Sequence, residues 1–189
     1  MASAGEMQMK EMKMKEVAPN RVSILKFNVK SKEESNGKSN GEPKEEFNAV
    51  GISSLSGGTA VAIVSGQAAI LLHIARLPDG TGDGEAELAH FRLRLEDMMD
   101  CYTNSSKHFP SDSTSVYVAE RRKEDLDGRP HPMNEIGYIL NALCLGRPLV
   151  AHYAVRPAGE GPAFVIDARN LEDVQILVDE DESRMSASD

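Results

Sequence analysis

The segment Ser56-Gly57-Gly58-Thr59 leads into the apolar run AVAIVSGQAAILL, and the run ends on His73. A hydroxyl beside an imidazole is the minimum for nucleophilic catalysis: the ring takes the hydroxyl proton, and nearby amides stabilise the oxyanion that forms. With Ser65, Gly66 and Gln67 as a hairpin loop, Val64 faces Ala68, Val61 faces Leu71 and Thr59 faces His73. Directly opposed side chains share a sheet face and lie about 5 Å apart at Cβ. Thr59 would then be the nucleophile and His73 its base. Gly57 and Gly58 would let a substrate approach the backbone, with the amides of Gly57 to Thr59 as oxyanion donors. A two-residue loop shifts the register by one and sends Thr59 and His73 to opposite faces. The plainer alternative is that His73 is a packed residue at a strand end and the glycine pair only turns the chain.

Other reactive side chains are less well placed. His152, Asp167 and Glu120 qualify as a third group orienting His73 by polarity alone. Cys144 falls on an apolar helical stripe and is expected in the core. Cys101 adjoins Asp100, whose charge raises a thiol pKa. His90 is expected on the exposed side of a helix, and His108 and His131 in loops. No HxH or HxxxH spacing occurs, so no metal site is expected. Neither GxGxxG nor GxxxxGK[ST] is found, and no cofactor is expected. The basic run Arg121-Arg122-Lys123 lies among Glu120, Glu124 and Asp125 and reads as a solvated loop.

Composition narrows the classes. The 189 residues carry a formal net charge of -9, contain no tryptophan and are 5% aromatic, which argues against nucleic acid as a partner. Two cysteines make no disulfide framework. The apolar stretches fall short of the ~20 residues that span a bilayer. The opening MASAGEMQMKEMKMKE lacks a secretory apolar core, and its acidic residues argue against a transit peptide. A cytoplasmic protein is expected, with no membrane association.

The elements that must position these residues follow from periodicity. Residues 1–20 alternate Met with Lys and Glu and read as a disordered tail, or as a short helix that folds on a partner. Residues 21–29 alternate as a half-buried strand, and 30–47 read as a solvated linker. The hairpin spans 59–64 and 68–74. Residues 85–103 put Leu88, Phe91, Leu95, Met98, Met99 and Tyr102 on one helical stripe, with Thr81 or Asp83 as its cap and Arg92 paired to Glu96. A strand at 114–119 precedes a helix that starts at Pro132 and ends at Gly146. Strands follow at 148–155, 162–168 and 173–178, and the tail from 179 is acidic and expected to be disordered. The order implies one α+β domain over 48–178, with a mixed or antiparallel sheet and two main helices packed on it. Residues 1–47 would be a flexible N-terminal region.

The turn, the hairpin and the segment His73-Ile74-Ala75-Arg76-Leu77-Pro78 resemble the chemotaxis deamidase CheD and the wider cysteine-hydrolase deamidases. In that family a Gly-Ser-Cys-like turn leads the first strand and a His-x-x-Leu-Pro-like segment ends the next. The chain is also similar to fungal proteins with a Gly-Cys-Thr turn before such a hairpin. The resemblance covers residues 48–155. It implies a deamidase-like fold, but the family's cysteine position falls on Gly58, or on Thr59 with a shift of one. The expectation is a non-catalytic relative that binds a protein or small molecule. The alternatives are an active glutamine deamidase using Thr59 and His73, and a simple interaction module working through the N-terminus or the acidic tail.

Overall fold

In the computed structural model the described residues are 11–27, 47–78, 84–122, 133–155, 161–171 and 173–178. The elements are β1 (Met14–Glu16), β2 (Arg21–Lys26), β3 (Ala49–Ile52), β4 (Thr59–Val64), β5 (Ala68–Ile74), α1 (Gly84–Ser105), β6 (Ser115–Arg121), α2 (Met133–Ala142), β7 (Leu149–Tyr153), β8 (Phe164–Asp167) and β9 (Gln175–Val178). A 3₁₀ turn, Ser106–His108, follows α1. The expected Thr81 or Asp83 cap, Pro132, the linker 30–46 and the acidic tail lie outside the described residues.

Two mixed sheets form, and the fold is α+β. A central sheet has the order β2-β5-β4-β6-β7 and an outer sheet the order β1-β3-β8-β9. β6 and β7 run parallel, joined through α2, and β1 runs parallel to β3; the remaining pairs are antiparallel. Alternation along the central strands divides the core into two clusters. Val61, Ile63, Ile70, Leu72, Val116 and Val118 pack against Phe91, Leu95 and Met98 of α1 and Ile136 and Leu140 of α2. The opposite face carries Ala60, Ala62, Ala69, Leu71, Ala119 and Ala151 and packs against Val50, Ile52, Phe164 and Ile166 of the outer sheet. The layers are therefore helices, central sheet, outer sheet. Alanines on the inter-sheet face leave room for the large side chains of the outer sheet.

Several local expectations are corrected. The segment before residue 48 contributes β1 and β2, each hydrogen-bonded into a sheet, so the folded unit starts N-terminal to Asn48. Arg92 does not pair with Glu96. Its guanidinium forks onto Glu135 of α2, both bonds 2.8 Å, and ties the two helices together. His90 is half-buried and shares Asn20 Oδ1 with the amide of Ala75, which holds the β1–β2 turn against α1. The second helix stops at Ala142, before Gly146. Cys144 takes the left-handed position there, with φ 56°, its amide donating to Asn141 and that of Leu145 to Leu140. Cys144 is consequently exposed, not in the core. Arg121, expected in a solvated loop, is a buried strand residue at 9% exposure.

Candidate functional site

The turn before β4 is built by Leu55 to Gly58. Ser56 and Gly57 both have positive φ, 44° and 82°, and the amide of Gly58 donates to the Leu55 carbonyl at 2.6 Å. These are the marks of a type I′ turn, which reverses the chain into the central sheet. Gly58 then sits in a backbone crevice. A Cβ there would lie 2.5 Å from the Ile74 carbonyl oxygen and 3.0 Å from that of Leu55. The close approach anticipated for a substrate is made by the chain's own β5. The Gly58 amide is likewise committed to the turn, so it is not an oxyanion donor. Its carbonyl accepts a hydrogen bond from the buried Tyr153 hydroxyl on β7. Gly57 keeps more space: the stems of Arg76 and Arg121 and a Val155 methyl lie 3.7–3.8 Å from where its Cβ would be.

The hairpin loop has two residues, Gly66 and Gln67, instead of three. Ser65 is a paired residue, its amide donating to Ala68 at 2.9 Å. Its hydroxyl accepts from the Gln67 and Ala68 amides at 3.1 and 3.2 Å and donates to the His108 carbonyl at 2.6 Å. A serine that reads as a loop former thus closes the turn from the position just beyond β4, opposite Ala68. The register becomes Thr59↔Ile74 and Ala60↔His73. Thr59 lies on the helix-facing side with Val61 and Ile63, and His73 on the inter-sheet side with Leu71. The proposed Thr59–His73 pair does not form.

His73 is 3% exposed, and neither ring nitrogen makes a hydrogen bond of good geometry. The carbonyls of Val17 and Leu55 and the charge of Glu16 favour a protonated ring, but loss of water dominates and holds its pKa below 6.5. Replacing a buried polar group without proper partners by an apolar one of similar size is often stabilising. His73→Leu is therefore expected to raise the urea midpoint, by about 1–2 kcal/mol at neutral pH. The unfolded ring binds a proton near pH 6.5 and the folded ring only at lower pH. Wild-type stability is thus lost as pH falls below that value, and the variant should lose less. A lowered midpoint for His73→Leu would show that the ring makes a bond that matters.

The three groups considered as orienters of His73 are elsewhere. Asp167 on β8 receives a fork from Arg169 at 2.6–3.0 Å, which holds its carboxyl below the usual range despite burial. Glu120 and His152 face each other across the parallel β6–β7 pair, Nδ1 3.4 Å from Oε1. Glu120 alternates onto the helix-facing side with Val118, the same side as Thr59, one step beyond the paired Ala60↔Ala119. Its carboxyl is 1% exposed, and burial pushes its pKa up to about 7. A hydroxyl, a half-neutral carboxyl and an imidazole thus share one end of one sheet face. Glu120 and His152 are 32 residues apart in sequence, and only the parallel crossover brings them together. No spacing rule could have found the pair.

Cys101 is half-buried, and burial raises its thiol pKa, which leaves it a poor nucleophile. Among the described residues no cluster of His, Cys, Asp and Glu could hold a metal ion. No helix among them is long and apolar enough to cross a membrane. The structure defines a three-layer α+β protein with a closed turn at the start of β4. Comparison with protein families found no matching family model, and comparison with curated proteins found no match.

Proposed function

We propose that this chain is a non-catalytic binding protein on a deamidase-like scaffold. One observation carries the reading: the two-residue loop puts Thr59 and His73 on opposite faces of the central sheet. A nucleophilic hydroxyl needs a base within about 3 Å, and a sheet separates these two groups. Two further facts support it. By the resemblance the family's cysteine falls on Gly58, or on Thr59 with a shift of one, and the Gly58 amide is consumed by the turn. The reading is tested by incubating the purified chain with glutamine-containing peptides and measuring ammonia. No release above buffer is expected, and Thr59→Ala should be indistinguishable from wild type. Ammonia release that Thr59→Ala abolishes would restore the amidohydrolase reading.

Binding of another protein is the form of this function that the surface favours. The specific observation is the edge position of β9, which among the described residues pairs only with β8.

A further inference from the structure

We infer that β1 and Val17 form a strap over His73, and that a proton on the imidazole releases it. The inference is independent of the binding reading.

The chain leaves the outer sheet at Val17, whose amide donates to the Gly51 carbonyl at 2.8 Å, and enters the central sheet at Arg21. Arg21 pairs with His73, so the ring lies beneath this crossover, on the inter-sheet side. The Val17 and Leu55 carbonyls lie against it. His73 is 3% exposed, and both of its nitrogens lack a hydrogen bond of good geometry. A charged imidazole has two N–H donors to satisfy and needs water or an opposite charge.

The surroundings do not meet that need while the strap is closed. Glu16 of β1 favours the proton, but its carboxylate already accepts from the Ser53 amide and hydroxyl at 2.9 and 2.8 Å. Arg21, the paired residue on β2, is itself a cation. Lys15 of β1 donates to the Ile24 carbonyl at 3.3 Å. Ala60 of β4 and Leu55 of the turn carry no charge. Loss of water outweighs the attraction of Glu16 and holds the closed ring below its ordinary pKa of 6.5. The proton is therefore bound more tightly where the ring meets water.

The strap is the weakest cover over the ring. β5 pairs with β2 and with β4 over six residues each, whereas β1 pairs with β3 over three. Local opening begins where pairing is least. Asn48 ties down the start of the strap, accepting from the Lys13 amide at 2.8 Å and donating to the Glu11 carbonyl at 3.0 Å. The other end is pinned at Asn20, which has φ 58° and accepts from the Ala75 amide at 2.9 Å and the His90 ring at 3.0 Å. A ring N–H can donate there in either charge state, so acid leaves this pivot in place. Release swings β1 about Pro19 and Asn20 while β2 stays in the central sheet.

Hydrogen exchange of the full chain at pH 7.5 and 5.5 tests this, read as protection factors so that the intrinsic pH dependence of exchange is removed. The Val17 amide should lose protection at the lower pH by up to about tenfold, the limit reached when only the opened ring binds the proton. The amide of Ile70 on β5 should lose none. Whole-chain unfolding also exposes Glu120, whose titration acts in the opposite direction, and would move the two amides together. His73→Leu should abolish the loss at Val17. Asn48→Ala removes two bonds to the strap and should lower Val17 protection about fivefold at both pH values, with the ratio between them unchanged. A change at Val17 under about twofold, an equal change at Ile70, or a pH effect that survives His73→Leu overturns the proposal.

Discussion

Gly58→Ala is expected to cost about 3 kcal/mol or more of folding stability, at the upper end for overpacking. The obstacle is backbone. The new methyl would stand 2.5 Å from the Ile74 carbonyl oxygen, 3.0 Å from that of Leu55 and 3.3 Å from the Ala75 α-carbon. No rotamer change relieves this, so the end of β5 must move. That movement disturbs the Leu55–Gly58 bond and the Tyr153 bond to the Gly58 carbonyl together. Two neighbouring glycines calibrate the effect. Gly57→Ala has room for its methyl but keeps φ at 82°, and should lose about 1 kcal/mol. Gly66→Ala meets nothing within 4 Å and should be near neutral. Urea unfolding of the three variants should rank them in that order. Gly58→Ala within about 0.5 kcal/mol of wild type would refute the crevice.

Glu120→Gln should gain stability with rising pH relative to wild type. The unfolded carboxyl titrates near 4.5 and the buried one near 7. Between those values the folded chain holds a proton that the unfolded chain has released, so wild-type stability falls as pH rises through the window. At 1.36 kcal/mol per pKa unit the loss is about 3 kcal/mol by pH 8. Glutamine cannot ionise. Any fixed cost of burying its amide is present at both pH 5 and pH 8, and the change in the wild-type-to-variant difference between them removes it. That change is the quantity to measure by urea unfolding. A difference constant across the range would show that the carboxyl titrates as an ordinary one. The His73 titration has the opposite sign and stays intact in this variant, so it cancels from the comparison.

Much of the fold can be read from periodicity. The stripe of Phe91, Leu95 and Met98 faces the core as its spacing requires, and the strands from β4 onward lie where alternation and turn residues put them. What escaped depends on contacts remote in sequence. β1 has only three paired residues, two of them charged, and gains its strand geometry from β3, 35 residues away. The apolar pattern of β3 is broken by Gly51, where an added Cβ would lie 2.5 Å from the Met14 sulfur and 3.1 Å from the Phe164 carbonyl oxygen. The candidate site turned on a single residue of loop length. Ser65 has turn chemistry and yet pairs with Ala68 as the strands do, and composition does not distinguish the two. The Glu120–His152 pair, visible as two polar residues, acquires meaning only from a parallel register.

The outer sheet draws its strands from residues 14–16, 49–52, 164–167 and 175–178, both extremes of the described chain. Such pairing has a high contact order and a large loop-closure cost. On the ribosome, β3 has no antiparallel neighbour until Phe164–Asp167 has emerged. The helix-facing core is complete once Val150 has been made, so the alanine face of the central sheet is the last to gain its cover. Assembly of this protein is therefore ordered along the chain: the helix-facing side can close first, and the inter-sheet side waits for the last strands of the outer sheet.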